Sequence, residues 1–328
     1  MARQKILVVG GAGFIGSHTA KLLHRQGFEP VVYDNLSTGH LTSVRWGPFV
    51  EGDILDTPRL AEAIESHRPA AIIHFAASAY VGESVENPAK YYANNVNGTL
   101  SVLEACRRTQ ADKLIFSSSC AIYGIPAHLP IRECEMPQPI NPYGRTKLIA
   151  EHMVADYSAA YRLSYVALRY FNASGADPER ELGEWHDPET HLIPRALLAT
   201  AGAIETLEVY GDDYDTPDGT CVRDYIHVLD LARAHVLAVE YLLAGGDNLA
   251  VNLGTGHGTS IKEIVGAIER VCGRKVPVAM HRRRPGDPPA LYAASDLAAE
   301  KLGFRALHSD IETIIRTAAP FFGLEMRG

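Results

Sequence analysis

A glycine-rich turn near the start of the chain constrains the fold more than any other feature. Residues 10–16 have the sequence GGAGFIG, follow the apolar run Lys5–Gly10 and open a helical pattern over Phe14–Gly27. Glycines at such a turn permit positive φ angles and allow a strand and the following helix to pack closely. The sequence therefore predicts a β-α unit belonging to a parallel sheet.

Short apolar runs alternate with helical patterns through the first half of the chain. Further strands are predicted at Val31–Asp34, Ala71–Phe75 and Lys113–Ser118, with helices near Thr57–His67 and Tyr91–Arg108. Continuous apolar strands separated by helices are typical of a parallel sheet that is covered on both faces. We therefore predict an α/β fold with a Rossmann-type doubly wound parallel sheet.

The alternation changes after Asn172. A polar, turn-rich segment occupies residues 174–190, and the later elements are predicted at Leu207–Tyr210, Leu229–Leu243, Val251–Leu253 and Ile261–Val271. We predict a sheet domain over residues 1–172 and a smaller α+β, substrate-binding C-terminal domain over residues 173–328. Some of the later segments are expected to return to the first sheet.

Composition excludes several classes of function. The 328 residues include 31 Lys and Arg and 39 Asp and Glu, a net charge of −8, which argues against a nucleic-acid or anionic membrane surface. No apolar run approaches the roughly 18 residues of a membrane span. The five cysteines are odd in number and lack Cys-x-x-Cys spacing, so a reducing cytosol is expected rather than a disulfide framework. His186 and His191 lack a third ligand at a metal-binding spacing, and no metal site is predicted.

The glycine turn has the context of a dinucleotide-binding loop. It lies between a strand and a helix, whose N-terminus offers free N–H groups to a pyrophosphate. Asp34 ends the second predicted strand, where its carboxylate can bind ribose hydroxyls and would repel a 2′-phosphate. The cofactor predicted is therefore NAD rather than NADP, against the simpler interpretation of an ordinary glycine turn. Asp53 is either a turn residue or an adenine contact.

A second pattern indicates proton transfer. Tyr143 and Lys147 are four residues apart at the start of a predicted helix, which places both side chains on one face. A nearby ammonium favours the phenolate and is expected to lower the pKa of Tyr143, producing a base near neutrality. The serines at 117–119 end a strand, at the edge where ligands bind such sheets. Without the glycine loop, the same pair would be typical of an exposed helix.

These residues resemble the extended short-chain dehydrogenase/reductases. The shared segments are GGAGFIG (10–16), YDNLSTG (33–39), HFAA (74–77), FSSSCAIYG (116–124) and NPYGRTK (141–147). The segments RYFNASGA (169–176), GTCVRDYIHV (219–228) and RPGD (284–287) are similar to the branch of UDP-glucose (UDP-galactose) 4-epimerases. The resemblance implies an NAD-dependent isomerase that acts on a UDP-sugar, as a cytoplasmic homodimer.

The resemblance also implies roles for individual residues. The catalytic group is Ser119, Tyr143 and Lys147. The NAD site is formed by Gly10, Gly13, Phe14, Ile15, Gly16, Asp34, Asn35, Ser37, Thr38, Gly39, Asp53, Ile54, Phe75, Ala76, Ala77, Asn95, Ser117, Tyr143, Lys147 and Phe171. The UDP-sugar site is formed by Ser119, Tyr143, Asn172, His191, Leu192, Glu208, Val209, Tyr210, Arg223, Arg284, Asp287 and Leu291.

Three positions depart from the family pattern or vary within it. Ala79 replaces a lysine that contacts the cofactor phosphate in many members, His191 replaces an asparagine that often contacts the nucleotide, and Leu291 lies where the size of the sugar pocket is set. UDP-arabinose/UDP-xylose and UDP-N-acetylglucosamine 4-epimerases of the same branch remain alternatives. A 4,6-dehydratase needs an Asp-Glu pair where this chain has Cys120 and Ala121. A reductase and a non-catalytic NAD-binding regulatory protein are more distant alternatives.

Overall fold

The fold is built outward from strand β1 (Lys5–Val9), an interior strand of the main sheet between β4 and β2. The computed structural model describes residues 3–284 and 287–326. Strand β1 runs directly into the glycine turn, and helix α1 (Phe14–Arg25) begins there. The predicted strand-turn-helix unit is confirmed.

The remaining elements follow in chain order. The strands are β2 (Glu29–Asp34), β3 (Phe49–Glu51), β4 (Ala71–His74), β5 (Lys113–Ser119), β6 (Ser164–Tyr170), β7 (Asn172–Ser174), β8 (Leu207–Tyr210), β9 (Val222–Arg223), β10 (Tyr225–His227), β11 (Leu249–Leu253), β12 (Thr259–Ser260), β13 (Val278–His281) and β14 (Ala290–Leu291). The helices are α2 (Thr57–His67), α3 (Val81–Glu86), α4 (Pro88–Tyr91), α5 (Gly98–Thr109), α6 (Pro142–Tyr161), α7 (Leu192–Ala201), α8 (Val228–Leu243), α9 (Ile261–Cys272), α10 (Asp296–Leu302) and α11 (Ile311–Ala318).

Seven parallel strands form the main sheet in the order β11-β6-β5-β4-β1-β2-β3. Consecutive strands extend from β1 in both directions, so a crevice opens beside its carboxyl end, where ligands bind in doubly wound sheets. One apolar core packs α1, α8 and α10 against one face of the sheet, and a second packs α2, α5 and α6 against the other. The predicted fold class is confirmed.

The second half of the chain both extends the sheet and forms its own core. Strand β11 pairs with β6 and is the edge strand of the main sheet, as expected for a segment that returns to it. Helices α7, α9 and α11 form a separate apolar cluster with β8. The domain boundary near residue 172 stays a prediction. Within residues 3–284 and 287–326, no helix is long and apolar enough to cross a membrane.

Two elements of the sheet region differ from the sequence-based expectation. Strand β6 is not predicted from the sequence, although its register with β5 covers seven residue pairs. The helix predicted over Tyr91–Arg108 is interrupted by a π-helical turn at Tyr92–Asn97. Such turns insert an extra residue into a helix and often occur at functional sites.

Candidate active site

The glycine loop has the geometry needed to hold a pyrophosphate. Gly10 has a φ of +83°, and a Cβ atom there would lie 2.5 Å from the backbone nitrogen of Ala76. A Cβ at Gly16 would collide with the Gly10 carbonyl oxygen. At Gly13, by contrast, φ is −79° and the closest contact of a Cβ would be an ordinary 3.5 Å. Packing therefore requires the outer glycines, whereas Gly13 leaves space in front of a helix N-terminus that has no side-chain cap.

Asp34 connects the loops on either side of this space. Its Oδ2 accepts a hydrogen bond from the N–H of Ala12 at 2.9 Å, and its Oδ1 accepts one from the N–H of Leu36 at 2.8 Å. Burial raises the pKa of this carboxyl group, and the two N–H groups oppose that shift. Each carboxylate oxygen keeps a further lone pair for a ribose hydroxyl. These residues fit the adenosine half of NAD.

The neighbouring loop carries the predicted adenine contacts. Asp53 accepts hydrogen bonds from the Asn35 side chain and from the Leu55 N–H, both at 2.8 Å. Ile54 is buried beneath the same loop. The predicted residues Ser37, Thr38 and Gly39 follow Asn35, and the Ser37 N–H donates to the Asn35 side chain at 3.0 Å. Asp53 is thus a turn residue that also fixes Asn35, and both interpretations of Asp53 remain compatible with the structure.

Strand β5 and the start of α6 bring the three predicted catalytic side chains together. Asn141 accepts a hydrogen bond from the Gly144 N–H at 2.8 Å, which caps α6 and places Tyr143 in its first turn. Tyr143 and Lys147 are both buried on one face of that helix. Ser119, the last residue of β5, lies beside the Tyr143 phenol and acts to lower its pKa.

Lys147 points at the strand rather than at the phenol. Its Nζ donates to the backbone oxygen of Ser117 at 2.8 Å and lies 5.2 Å from the centroid of the Phe116 ring. Burial lowers the pKa of Lys147 to about 8, although the carboxylate of Glu151 acts in the opposite direction. The Ser117 hydroxyl is hydrogen-bonded to Tyr170, which fixes the end of β5 against β6.

The pKa of Tyr143 differs from the sequence-based expectation. Burial raises this pKa above the ordinary value of a phenol, and the nearby Ser119 side chain offsets only part of the effect. The ammonium of Lys147, expected to lower it, is committed to the Ser117 carbonyl. The chain's own groups therefore keep Tyr143 protonated at neutral pH, and forming its phenolate requires a further positive charge nearby.

A buried ionic network beneath the catalytic group was missed by sequence reasoning. Glu151, four residues beyond Lys147, accepts hydrogen bonds from the Arg169 guanidinium at 2.6–3.2 Å. It also accepts one from the Ser118 hydroxyl, and Arg169 donates to the Tyr123 hydroxyl at 3.0 Å. Glu151 could have been found from the sequence, because it continues the four-residue spacing of Tyr143 and Lys147 along α6. No local pattern identifies Arg169, in β6, as its partner.

Asn95 orders the loop that covers the sheet edge. It lies in the π-helical turn Tyr92–Asn97, accepts from the Ser78 N–H at 2.8 Å and donates to the Ser78 carbonyl at 3.0 Å. Its amide also donates to the Thr146 hydroxyl at 3.0 Å. The predicted cofactor residues 75–77 are therefore held between the glycine loop and α6.

The residues predicted to hold the diphosphate lie in the C-terminal region. Arg223 in β9 lies 3.9 Å from the Asp287 carboxylate. The guanidinium of Arg284 stacks over the ring of Tyr210 with its central carbon 3.8 Å from the ring centroid. The Tyr210 hydroxyl donates to Glu208 at 2.8 Å. Two arginines with aromatic and acidic neighbours form a site suited to a diphosphate and a planar base.

An apolar cluster joins this region to the catalytic group. It consists of Ile122, Tyr123, Ile131, Phe171 and Ala293, with Cys120, Leu148 and Leu291 packed against it. Burial raises the pKa of Cys120 to about 12, and the charge of Arg223 opposes this, which places Arg223 near the residue that follows Ser119. Leu291 and Arg223 therefore lie at the same sheet edge as Ser119.

The other predicted substrate residues occupy element ends. Asn172 donates to the Asp224 carbonyl through both its backbone and its side chain, each at 3.0 Å. Val209 is buried in β8, and Leu192 is the first residue of α7. Pro285 and Gly286 of the RPGD segment lie outside the described residues.

The segment before α7 differs from the expectation about metal ligands. The sequence indicated no third ligand for His186 and His191. The structure brings Glu184 and Glu189 to them, and one donor atom from each of the four side chains lies within 4.8 Å of the others. An irregular loop, with no helical or strand period, folds the glutamates back onto the histidines. The predicted absence of a metal stays a prediction.

The fold and the site together define a class of proteins that hold a nicotinamide dinucleotide beside a Ser–Tyr–Lys group. The chain belongs to the NAD dependent epimerase/dehydratase family, whose model matches residues 6–254. It is 55% identical to a UDP-glucose 4-epimerase of Rhizobium leguminosarum bv. trifolii over 318 aligned residues, and this alignment covers 97% of each chain.

Solved structures agree with this family. A UDP-glucose 4-epimerase from Brucella ovis in complex with NAD is 73% identical, with a TM-score of 0.98 over 99% of this chain and 100% of that one. One from Bifidobacterium longum in complex with NAD+ and UDP is 37% identical, with a TM-score of 0.91 over 96% and 97% of the two chains. The predicted resemblance and the predicted NAD dependence are confirmed.

Proposed function

We propose that this chain interconverts UDP-glucose and UDP-galactose by transient oxidation at C4, with NAD retained throughout. The observation that carries the proposal is the burial of Tyr143 and Lys147 on one face of α6 beside the end of β5, where Lys147 Nζ donates to the Ser117 carbonyl at 2.8 Å and the Ser119 side chain acts on the Tyr143 phenol. The similarity to UDP-glucose 4-epimerases over nearly the full chain supports the same reaction.

Each catalytic residue has a distinct task in this reaction. Tyr143 takes the proton of the C4 hydroxyl as the carbonyl forms and returns it when the carbonyl is reduced. In the relay, Ser119 accepts the proton of the C4 hydroxyl while its own hydroxyl proton passes to the Tyr143 phenolate. Lys147 orients the site through its bond to the Ser117 carbonyl, and its ammonium would also hold the nicotinamide ribose. A bound NAD would supply a hydride acceptor and donor for C4 and a positive charge near the phenol.

Inversion at C4 requires a firmly held nucleotide and a sugar that can turn. Arg223 and Arg284 are proposed to bind the diphosphate, with Tyr210 and Asn172 toward the uridine. The apolar surface at Leu291 and Phe171 offers few hydrogen bonds to a sugar. A 4-keto sugar tethered by its diphosphate can therefore present either face to the nicotinamide.

The alternatives differ in the sugar or in the fate of the cofactor. A dehydratase is disfavoured because partial burial raises the pKa of the Cys120 thiol, so Cys120 cannot replace an acidic side chain. UDP-arabinose/UDP-xylose and UDP-N-acetylglucosamine differ from the proposed substrates at the pocket lined by Leu291, and direct comparison of these sugars distinguishes them.

We also propose that the protein is a cytoplasmic homodimer. Five free thiols, including the exposed Cys134, support a reducing compartment. Tyr92 and Leu100 are exposed, at 38% and 41%, on the π-turn and α5, and such apolar surface favours helix pairing between two copies. Sedimentation of the purified protein tests the dimer.

The test of the reaction uses the protein as purified, without added NAD. UDP-galactose, UDP-N-acetylgalactosamine and UDP-xylose are supplied separately, and the C4 epimers are resolved by chromatography. UDP-galactose should be converted to UDP-glucose most efficiently. A strict requirement for fresh NAD, consumed in proportion to product, would refute the proposal.

A variant pair tests the role of the tyrosine. Tyr143→Phe should lower the rate on the order of 10²–10⁴-fold while retaining bound NAD, because only the proton acceptor is lost. Tyr161→Phe changes an exposed tyrosine at the other end of the same helix and should keep the full rate. Equal rates in the two variants would remove Tyr143 from the mechanism.

A further inference from the structure

Two histidines and two glutamates converge in the loop between β7 and α7. The Nδ1 atom of His191 lies 2.6 Å from Oε1 of Glu184, and the Nδ1 atom of His186 lies 3.2 Å from Oε2 of Glu189. His186 Nδ1 lies 3.5 Å from Oε1 of Glu184, and His191 Nδ1 lies 3.8 Å from the other oxygen of Glu189, Oε1. One donor atom from each of the four side chains lies within 4.8 Å of the others.

The charge in this cluster is unusual for its burial. The side chains of Glu184 and Glu189 are only 4% and 10% exposed. In the part of the chain that the structure describes, their ion-pair partners are His186 and His191 rather than a lysine or arginine. Two carboxylates removed from water in this way require hydrogen bonds or positive charge in compensation. Oε1 of Glu189 accepts hydrogen bonds from the N–H groups of Thr190 and His191 at 2.7 and 2.8 Å, which leaves its Oε2 and the carboxylate of Glu184 facing the histidines.

A neighbouring acidic cluster shows how the same chain meets this requirement elsewhere. Asp177, Glu179 and Glu181 also lie close together, and the ammonium of Lys21 is inserted among them at 2.5, 3.0 and 2.6 Å. In that cluster the Lys21 ammonium neutralises the carboxylates. In the His/Glu cluster the nitrogens beside the carboxylates belong to imidazole rings, which are metal ligands when neutral.

We propose that Glu184, His186, Glu189 and His191 bind a zinc ion through one donor atom each. Zinc favours four ligands from nitrogen and carboxylate oxygen, and bonds of its usual length in a tetrahedron separate neighbouring ligand atoms by roughly 3.4 Å. With Glu184 Oε1 and Glu189 Oε2 as the oxygen donors, their distances from His186 Nδ1 are 3.5 and 3.2 Å, near that value. The His191 Nδ1 and Glu184 Oε1 atoms, at 2.6 Å, need to move apart by less than an ångström. Magnesium and calcium are disfavoured because they prefer ligand sets made of oxygen.

The surroundings indicate a structural role for this zinc. The His186 ring centroid lies 6.4 Å from that of Phe14, at the start of α1, and 6.0 Å from that of Tyr80. The His191 ring also lies 6.0 Å from Tyr80. Four protein ligands leave no open position for substrate, as in other structural zinc sites, so His191 would hold the zinc rather than make the nucleotide contact that the resemblance implies. The ion would therefore hold the loop against the dinucleotide-binding end of α1.

The test measures metal content in protein without a histidine tag. Wild-type protein with its NAD is exchanged into equimolar Zn²⁺, passed over a chelating resin and analysed by mass spectrometry of the metal. About one zinc per chain should remain, and Mg²⁺ treated in the same way should not be retained. His186→Ala and Glu189→Gln should lose most of the zinc, whereas His257→Ala, an exposed histidine elsewhere, should keep it. Zinc absent from the wild type, or retained equally by all variants, would overturn the proposal.

A second measurement does not depend on the variants folding. Wild-type protein loaded with Co²⁺ should show the visible absorption bands of a tetrahedral site with nitrogen and oxygen ligands. Added Zn²⁺ should abolish those bands at about one equivalent. A spectrum typical of six-coordinate Co²⁺ would contradict the four-ligand site, whether or not the variants are stable.

Discussion

The buried pair Glu151–Arg169 offers a quantitative test of how the active site is supported. Replacing Glu151 with Gln keeps the size of the side chain and removes its charge. The exposed fractions of the Glu151 and Arg169 side chains are 8% and 11%, so the guanidinium would remain buried without a counter-charge. Breaking one partner of such a pair costs about 3–5 kcal/mol. We expect about 3 kcal/mol, at the low end, because the introduced amide could still accept one hydrogen bond and Arg169 keeps its bond to Tyr123.

Urea unfolding with equal NAD content measures this loss as a shift in the midpoint. The control is Glu62→Gln, since Glu62 pairs with Arg59 on an exposed helix surface. That pair should give no resolvable shift, because exposed ion pairs contribute little. In the double variant Glu151→Met/Arg169→Met, part of the lost stability should return, since no unpaired charge remains. Equal midpoint shifts in Glu151→Gln and Glu62→Gln would refute the reasoning. So would a double variant whose loss of stability equals the summed losses of the single variants Glu151→Met and Arg169→Met.

Three further predictions concern the loop, a buried histidine and the sugar pocket. Gly10→Ala should lower the melting temperature in calorimetry and the bound NAD measured by absorbance far more than Gly27→Ala. Both glycines have positive φ, but only at Gly10 would the added Cβ meet backbone, 2.5 Å from the Ala76 nitrogen. Equal effects would contradict the close approach. Burial lowers the pKa of His235 to about 4, so the unfolded chain takes up the proton first as pH falls from about 6.5, and stability is lost over that range. His235→Phe should remove up to about 3 kcal/mol of this acid-dependent loss, and parallel stability–pH curves for variant and wild type would refute it. Leu291→Ala should raise kcat/KM for UDP-N-acetylgalactosamine relative to UDP-galactose roughly tenfold, and an unchanged ratio would remove Leu291 from the pocket.

The elements that the sequence predicts well are those with local causes. Helix α2 begins at Thr57 because Asp56 accepts a hydrogen bond from the Arg59 N–H at 3.0 Å and Pro58 occupies the first turn. These signals lie within a few residues, and the predicted bounds of that helix match the structure. The catalytic pair at Tyr143 and Lys147 was predictable for the same reason, since helical spacing alone places both on one face.

The features that were missed arise from contacts between distant segments. Arg169 reaches Glu151 across two elements, and no local period in the sequence connects them. The same holds for the pKa of Tyr143, since its sign depends on how deeply the ring is buried and on where the Lys147 ammonium points. Sequence spacing can place two side chains on one helix face, but it cannot state which acceptor a lysine reaches.

The His/Glu cluster shows where this limit falls for binding sites. Its ligands occupy positions 184, 186, 189 and 191, a spacing that fits neither one face of a helix nor one face of a strand across the whole set. Only the irregular path of the loop brings Glu184 against His191, seven positions later, at 2.6 Å. A metal site on a helix is visible in sequence because the helix fixes its geometry, whereas one on a loop depends on the fold that anchors both ends. Here the anchors are β7, which pairs with β10, and α7, which packs in the C-terminal apolar cluster, so convergence of the four side chains depends on contacts outside the loop itself.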